Sequence, residues 1–194
     1  MKKVYVSWGD VQRQVQELVR QMWQDRWVPD YVVGITRGGL VPANLISQYL
    51  DCRMETLKVK LRDGGEDGDC ESNLWMAEDA FGYVNDPDLS PEKSRSDPSL
   101  RKKILIVDDI NDSGATLNWI KQDWPSGCLP YDSSWNDIWG NNVRVAVLYD
   151  NESSQSELVP NYCAETINKA SDPQWVVFPW EEWWRRWNPN EEHQ

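Results

Sequence analysis

An apolar run that ends in two acids constrains the fold of this chain more than any other feature. Residues 103–107 read Lys-Ile-Leu-Ile-Val, and Asp108, Asp109 and a loop of small residues follow them. A continuous apolar run of this kind is typical of a strand buried on both faces of a parallel sheet. The two acids then lie at the carboxyl end of that strand, where open α/β sheets bind their ligands.

Further strands and helices alternate along the chain. Apolar runs predict strands at 31–36 and 143–149, and a further strand is expected at 54–60. A helix is expected after Ser7, which with Asp10 resembles a capping box, because apolar residues follow at helical spacing. Those residues are Val11, Val15, Leu18, Val19 and Met22. Further helices are expected near 40–50 and from Ala115 onward. The alternation predicts an α/β fold with a mainly parallel sheet flanked by helices.

Length and charge limit what this fold does. The chain has 194 residues, which suits one domain spanning 1–194. Thirty-two acids against twenty Lys and Arg give a net charge of −12, so nucleic acid is excluded as the main partner. No stretch approaches the ~18 apolar residues of a membrane span. We therefore expect no membrane partner and a cytoplasmic location.

The cysteines and the single histidine exclude other kinds of site. Cys52, Cys70, Cys128 and Cys163 are scattered and show no ligand spacing with His193, so we expect no zinc site. Four scattered thiols suit a reducing compartment. One histidine near the end of the chain also removes most Ser-His-Asp and Cys-His mechanisms.

Residues 62–100 break the pattern. They hold eleven acidic and three basic residues, several glycines and prolines, and little periodicity. This composition predicts an acidic flexible loop or insertion. It is either a solvated segment or a lid that closes over a site and excludes water.

The segment after the apolar strand carries the strongest chemical signal. Its backbone N–H groups and the hydroxyls of Ser113 and Thr116 lie at the start of a helix, which is a ready phosphate site. Asp108 and Asp109 are suited to ribose hydroxyls and to a hard cation such as Mg²⁺. From the residues alone, a helix-capping role for one acid and a metal-dependent hydrolase remain alternatives.

The run from Ile104 to Leu117 resembles the phosphoribosyl-diphosphate (PRPP) signature of type I phosphoribosyltransferases. This resemblance implies that family's fold, with a small hood built partly from the C-terminal segment, here residues 162–187. It implies Mg²⁺ as cofactor with Asp109 as a metal ligand, and Asp112 as the catalytic base. The PRPP-binding residues it implies are Asp108, Asp109, Asp112, Ser113, Gly114, Ala115 and Thr116.

Two further segments are similar to bacterial xanthine–guanine phosphoribosyltransferases. Residues 34–43, Gly-Ile-Thr-Arg-Gly-Gly-Leu-Val-Pro-Ala, match the pyrophosphate loop and nominate Thr36, Arg37 and Gly38. Residues 174–181, Gln-Trp-Val-Val-Phe-Pro-Trp-Glu, resemble the base-binding hood and nominate Trp175 and Val176. We expect packing roles for the remaining tryptophans of this tail, which are Trp180, Trp183, Trp184 and Trp187.

The chain differs from the family at the residues that contact the nucleobase. The family has a lysine just after the strand matching 143–149, whereas this chain has Asp150 and Asn151, which become the candidate base contacts. The resemblance implies transfer of phosphoribose from PRPP to a nucleobase, with a 6-oxopurine as the first expectation. Another base, such as adenine or a pyrimidine, and a non-catalytic PRPP-sensing regulator are the alternatives. Large apolar side chains also predict a homo-oligomer, a dimer or tetramer.

Overall fold

A five-stranded parallel sheet forms the centre of the molecule. A computed structural model describes residues 2–61, 68–85, 88 and 95–181. The strands in this part of the chain are β1 Lys2–Tyr5, β2 Tyr31–Thr36, β3 Arg53–Lys58, β4 Tyr83–Val84, β5 Arg95–Ser96, β6 Ile104–Asn111, β7 Val143–Asn151, β8 Tyr162–Ile167 and β9 Gln174–Val177. The central sheet has the order β3-β2-β6-β7-β8, and each pair of neighbours is parallel.

Helices cover both faces of this sheet. They are α1 Trp8–Gln24, α2 Leu40–Leu50, α3 Leu74–Phe81, α4 Ala115–Gly127 and α5 Trp135–Ile138. Leu105 of β6 belongs to a buried cluster with Val11 of α1 and Ile46 of α2. The next residue, Ile106, belongs to a second cluster with Ile120 of α4. Successive side chains of a strand point to opposite faces, so an apolar run without alternation fits this double burial. The predicted fold class is confirmed.

The first helix follows from its capping residues. Ser7 Oγ accepts the Asp10 N–H at 3.1 Å, and Asp10 Oδ2 accepts the Ser7 N–H at 3.0 Å. Val15, Leu18 and Met22 are buried on the inner side of the helix. Both the capping box and the apolar stripe are confirmed.

Strands β6 and β7 continue beyond their apolar runs. β6 extends to Asn111 and β7 to Asn151, because the two strands stay paired, with Asn111 opposite Asp150. The acids at 108 and 109 therefore lie within the last part of a strand, which fixes their backbone more firmly than a loop would.

Part of the segment 62–100 is regular. α3 buries Met76, Ala77, Ala80 and Phe81 against the second cluster, and β4 pairs with β5 in an antiparallel ribbon. The sequence predicted little regular structure here, because the helix is short and its apolar side is surrounded by acids and glycines. Residues 62–67, 86, 87 and 89–94, on which the predicted lid role depends, lie outside the described residues.

A separate two-stranded sheet, here called the hood, consists of β1 and β9. The strands are parallel, with Lys2 opposite Gln174 and Tyr5 opposite Val177. Of the segment 162–187 assigned to the hood from sequence, β8 lies in the central sheet and β9 lies in the hood. The tail tryptophans Trp183, Trp184 and Trp187 fall outside the described residues.

Two further findings concern the state of the cysteine thiols and the length and hydropathy of the helices. The four cysteines are free thiols, and Cys128 is buried. No helix in the described ranges is both long enough and apolar enough to cross a bilayer.

Candidate active site

One edge of the central sheet collects most of the predicted site residues. Because β2, β6, β7 and β8 are parallel, their carboxyl ends lie along the same edge. Thr36 ends β2, Asn111 ends β6 and Asn151 ends β7. Residues that are far apart in the sequence therefore meet here.

The acid pair, Asp108 and Asp109, is buried at this edge. Asp109 is only 9% exposed, and its N–H donates to Asp108 Oδ1 at 2.9 Å. Burial, followed by the negative charge of Glu181, raises the pKa of Asp109 to about 6. Burial and the charge of Asp109 raise the pKa of Asp108 well above its usual range. Negative charge on the pair is therefore unfavourable by itself, and a bound cation relieves it.

Residues 36–39, here called the glycine loop, lie directly against the acid pair. The peptide bond between Thr36 and Arg37 is cis. A β-carbon on Gly38 would clash with the carboxylate of Asp109, and one on Gly39 would clash with the carbonyl oxygen of Val107. The two glycines are therefore required by the close approach of the loop to β6.

A cavity of about 540 Å³ opens beside the glycine loop. Arg37, Asp109, Trp180 and Glu181 line it. In the ranges that the structure describes, no three metal-ligating side chains come together. Asp109 and Glu181 supply two hard oxygen donors, so a divalent cation held here takes its other ligands from water or a bound anion. The cavity suits an anion that arrives with a cation, and Arg37 adds a fixed positive charge.

Residues 112–116, here called the phosphate loop, connect β6 to α4. Gly114 has φ +86°, and a β-carbon on it would clash with the backbone nitrogen of Ser156. A cavity of about 80 Å³ lies between this loop and Asp108, and Ser113 and Thr116 line it. Since α4 starts here, the N–H groups of its first turn and the two hydroxyls form a pocket that suits a phosphate group.

Asp150 and Asn151 are held in hydrogen bonds that join neighbouring segments. Asp150 Oδ1 accepts from Asn111 Nδ2 at 2.8 Å. Asn151 is 5% exposed, and its Nδ2 donates to the carbonyl oxygen of Asp112 at 2.9 Å. Its Oδ1 accepts the Lys169 N–H at 3.0 Å. Both residues therefore lie at this edge of the sheet, and the contacts of Asn151 fix the phosphate loop and the turn after β8. Their contact with a base stays a prediction.

Lys169 is a site residue that sequence reasoning missed. Its Nζ lies 2.7 Å from Asp112 Oδ2 and 5.7 Å from the ring centre of Trp175. It stands alone in a polar turn, so no motif marks it. The one signal in the sequence is charge, since Lys169 is the only basic residue between Arg144 and Arg185 in an acidic chain.

Trp175 and Val176 have different surroundings on β9. Trp175 is 50% exposed, and its ring is therefore accessible to a planar ligand. Val176 is 6% exposed and lies opposite Val4 in the hood. Trp180 stacks on Phe178 with 4.9 Å between ring centres, which confirms its predicted packing role.

Comparisons with known proteins show which family this chain belongs to. The family model described as phosphoribosyl transferase domain matches residues 5–185, a range that includes the glycine loop, the acid pair and the phosphate loop. The xanthine-guanine phosphoribosyltransferase of Cereibacter sphaeroides is 29% identical over 186 residues, covering 93% of this chain and 87% of that protein. Xanthine phosphoribosyltransferase 1 of Saccharomyces cerevisiae is 21% identical over 199 residues, covering 93% of this chain and 90% of that protein. The crystal structure of a purine phosphoribosyltransferase from Pyrococcus horikoshii has a TM-score of 0.60 and 26% identity, covering 94% of this chain and 95% of that chain.

Proposed function

Since the chain belongs to the phosphoribosyl transferase domain family, whose model matches nearly its whole length, we propose that it transfers the 5-phosphoribosyl group of PRPP to a 6-oxopurine base. The products are the purine nucleotide and pyrophosphate, and the reaction serves base salvage in the cytoplasm. Relatives named for xanthine and guanine support this choice of base.

The contact between the glycine loop and the acid pair carries the proposal. PRPP has its diphosphate on C1 of the ribose, next to the hydroxyls on C2 and C3. A site for it needs a diphosphate cradle directly beside oxygen acceptors for those hydroxyls. The packing of Gly38 against the Asp109 carboxylate brings such a cradle and such acceptors together.

The glycine loop and Arg37 hold the leaving pyrophosphate. Thr36, Arg37 and Gly38 supply backbone groups and one guanidinium, which stabilise the negative charge that develops as the C1–O bond breaks. Asp109, with Glu181 across the same cavity, fits Mg²⁺ because both are hard carboxylate donors beside an anion site. When bound, Mg²⁺ supplies charge neutralisation on the diphosphate.

The phosphate loop holds the other end of PRPP. Ser113, Gly114, Ala115 and Thr116 form the small cavity at the start of α4, which takes the 5′-phosphate. Asp108 and Asp109 accept hydrogen bonds from the ribose hydroxyls. Anchoring both ends of PRPP fixes C1 in place for attack by the base.

Asp112 moves the proton of the base. Its carboxylate is 46% exposed, at the junction of the phosphate loop and the side of the site where Trp175 lies. As N9 of the purine attacks C1, Asp112 accepts the proton from N7. A general base in this position contributes about 10²–10⁴ in rate. Trp175 stacks on the ring, and the backbone of Val176 contacts its edge.

A base panel tests this function. Pyrophosphate release from PRPP and Mg²⁺ is measured with hypoxanthine, guanine, xanthine, adenine and a pyrimidine, with Asp112→Asn as the inactive comparison. Release with the 6-oxopurines, lost in Asp112→Asn, is the expected result. Release only with adenine or the pyrimidine would assign the enzyme to another base. Binding of PRPP without release under any condition would make the chain a PRPP-sensing regulator.

We also propose that the chain forms a homo-oligomer, a dimer or tetramer. Trp8 and Trp23 of α1 are 53% and 64% exposed, and packing against a second copy would remove their large apolar surface from water. Light scattering coupled to gel filtration tests this, and a mass near 22.6 kDa would contradict it.

A further inference from the structure

Lys169 lies at the point where the proposed base and its proton acceptor meet. Its ammonium is 2.7 Å from the Asp112 carboxylate, and its side chain is only 17% exposed, against 46% for Asp112. The ring centre of Trp175 is 5.7 Å from the same ammonium. The Asp112 carboxylate (an acceptor), the Lys169 ammonium (a donor) and the exposed ring of Trp175 therefore border one space.

The backbone holds Lys169 in this place. Asn151 Oδ1 accepts the Lys169 N–H at 3.0 Å while Asn151 Nδ2 donates to the Asp112 carbonyl oxygen at 2.9 Å. Asn168 Oδ1 accepts the N–H groups of Ala170 and Ser171, at 3.1 and 3.2 Å, which fixes the turn. One buried amide thus sets the spacing between the segments that carry Asp112 and Lys169.

This pair has the hydrogen-bonding pattern of one purine edge. A 6-oxopurine with its proton on N7 presents an N–H donor at N7 and a carbonyl acceptor at O6 on the same edge. A carboxylate only accepts and an ammonium only donates, so Asp112 matches N7 and Lys169 matches O6. Adenine has an amino donor in place of O6, and a lysine cannot accept from it.

We propose that Lys169 is the specificity-determining residue that contacts O6 and makes the enzyme select 6-oxopurines over adenine. This inference rests on the proposed function. It moves the recognition of O6 from the end of β7, where the sequence pattern suggested it, to the turn after β8. Asn151, the other candidate donor, already bonds the Asp112 backbone and serves as a positioning residue.

The test compares two lysine substitutions in the full chain. Lys169→Met removes the charge and keeps the length of the side chain. Lys121→Met is the matched control, because Lys121 forms a 3.0 Å ion pair with Glu157 and has a side chain 33% exposed, on the α4 side of the sheet. Pyrophosphate release gives kcat/KM for guanine, hypoxanthine and adenine in each protein.

Lys169→Met should lower kcat/KM for guanine and hypoxanthine roughly ten- to hundredfold, which is the effect of losing one charged hydrogen bond. Its kcat/KM for adenine should not fall, so the preference for oxopurines shrinks by the same factor. Lys169→Gln should shift the preference further, because an amide oxygen accepts from the amino group of adenine. Lys121→Met should match the wild type.

Two results would overturn the inference. One is a Lys169→Met protein that keeps the wild-type preference for guanine over adenine, and the other is an equal loss for all bases. If Lys169→Met does not fold, the same ratio is read from Lys169→Gln. Wild-type protein that turns over no base would refute the proposed function itself, whereas wild-type turnover with an unchanged preference in both variants would refute only the role of Lys169.

Discussion

Replacing Asp109 by asparagine should stabilise the ligand-free protein above pH 6. Burial and the neighbouring Glu181 charge raise the pKa of Asp109 from its usual 3.8 to about 6. The folded state keeps this proton up to about pH 6, whereas the unfolded chain releases it near pH 3.8. The free energy of unfolding therefore falls as the pH rises between these values and stays low above them.

The size of the effect follows from the shift. Each pKa unit corresponds to about 1.36 kcal/mol, so a shift of about two units destabilises the wild type by up to about 3 kcal/mol at about pH 7.5. For a chain of this length, that corresponds to roughly 6–12 °C in melting temperature. Asp109→Asn removes the charge and keeps an oxygen acceptor, so the variant should melt higher by up to this amount. Near pH 4 the two proteins should be close.

Thermal unfolding followed by circular dichroism between pH 4 and 8, with a chelator present, measures the difference. Asp172→Asn, which changes an exposed acid in the turn before β9, is the matched control and should follow the wild type. An Asp109→Asn protein that melts below the wild type at pH 7.5, or a gap that does not widen between pH 4 and 6, would refute the reasoning. Added Mg²⁺ and pyrophosphate should stabilise the wild type more than Asp109→Asn.

Three further substitutions probe the loops and the hood. Gly38→Ala should lower turnover by at least about a hundredfold, because the new methyl group displaces the glycine loop from Asp109; turnover within tenfold of wild type would contradict the required close approach. Gly114→Ala should lower the free energy of unfolding by about 1–3 kcal/mol, because its φ of +86° and its contact with Ser156 exclude a side chain; an unchanged midpoint in urea would count against this. Trp175→Ala should lower the free energy of unfolding by no more than about 1–2 kcal/mol, because the side chain is half exposed, and should raise KM for the base roughly five- to hundredfold. An unchanged KM for the base would remove Trp175 from the proposed stacking role.

Local patterns predicted the framework of this protein. The run at 103–107 is apolar because Leu105 and Ile106 are buried on opposite faces of the sheet. A strand buried on both faces can be recognised in the sequence as an apolar run without polar alternation. The capping box of Ser7 and Asp10 is a contact over three residues, so spacing alone was enough to find it. Gly38 and Gly114 could also be identified from the sequence, because each stands in a short loop between a predicted strand and a predicted helix.

Contacts between segments that are far apart in the sequence could not be predicted from the sequence. Lys169 reaches Asp112 only because Asn151 holds two turns together, and nothing in the polar sequence around it marks that arrangement. The influence of Glu181 on Asp109 depends likewise on how the segment after β9 folds back over the glycine loop. α3 was missed because its apolar side is short and its helix-forming residues stand within an acidic, glycine-rich segment.

The pairing of β1 with β9 makes one part of the site depend on both ends of the described chain. Lys2 lies opposite Gln174, so the β1–β9 pair closes a very long loop of chain. The β2–β6 pair, which brings the acid pair to the glycine loop, closes a much shorter one. Contacts of such high sequence separation as the β1–β9 pair form slowly, although the free-energy cost of closing the loop rises only slowly with its length. During synthesis, β9 cannot pair with β1 until the whole segment between the two strands has emerged. We therefore expect the glycine loop and the acid pair to be in place before Trp175 when the protein folds.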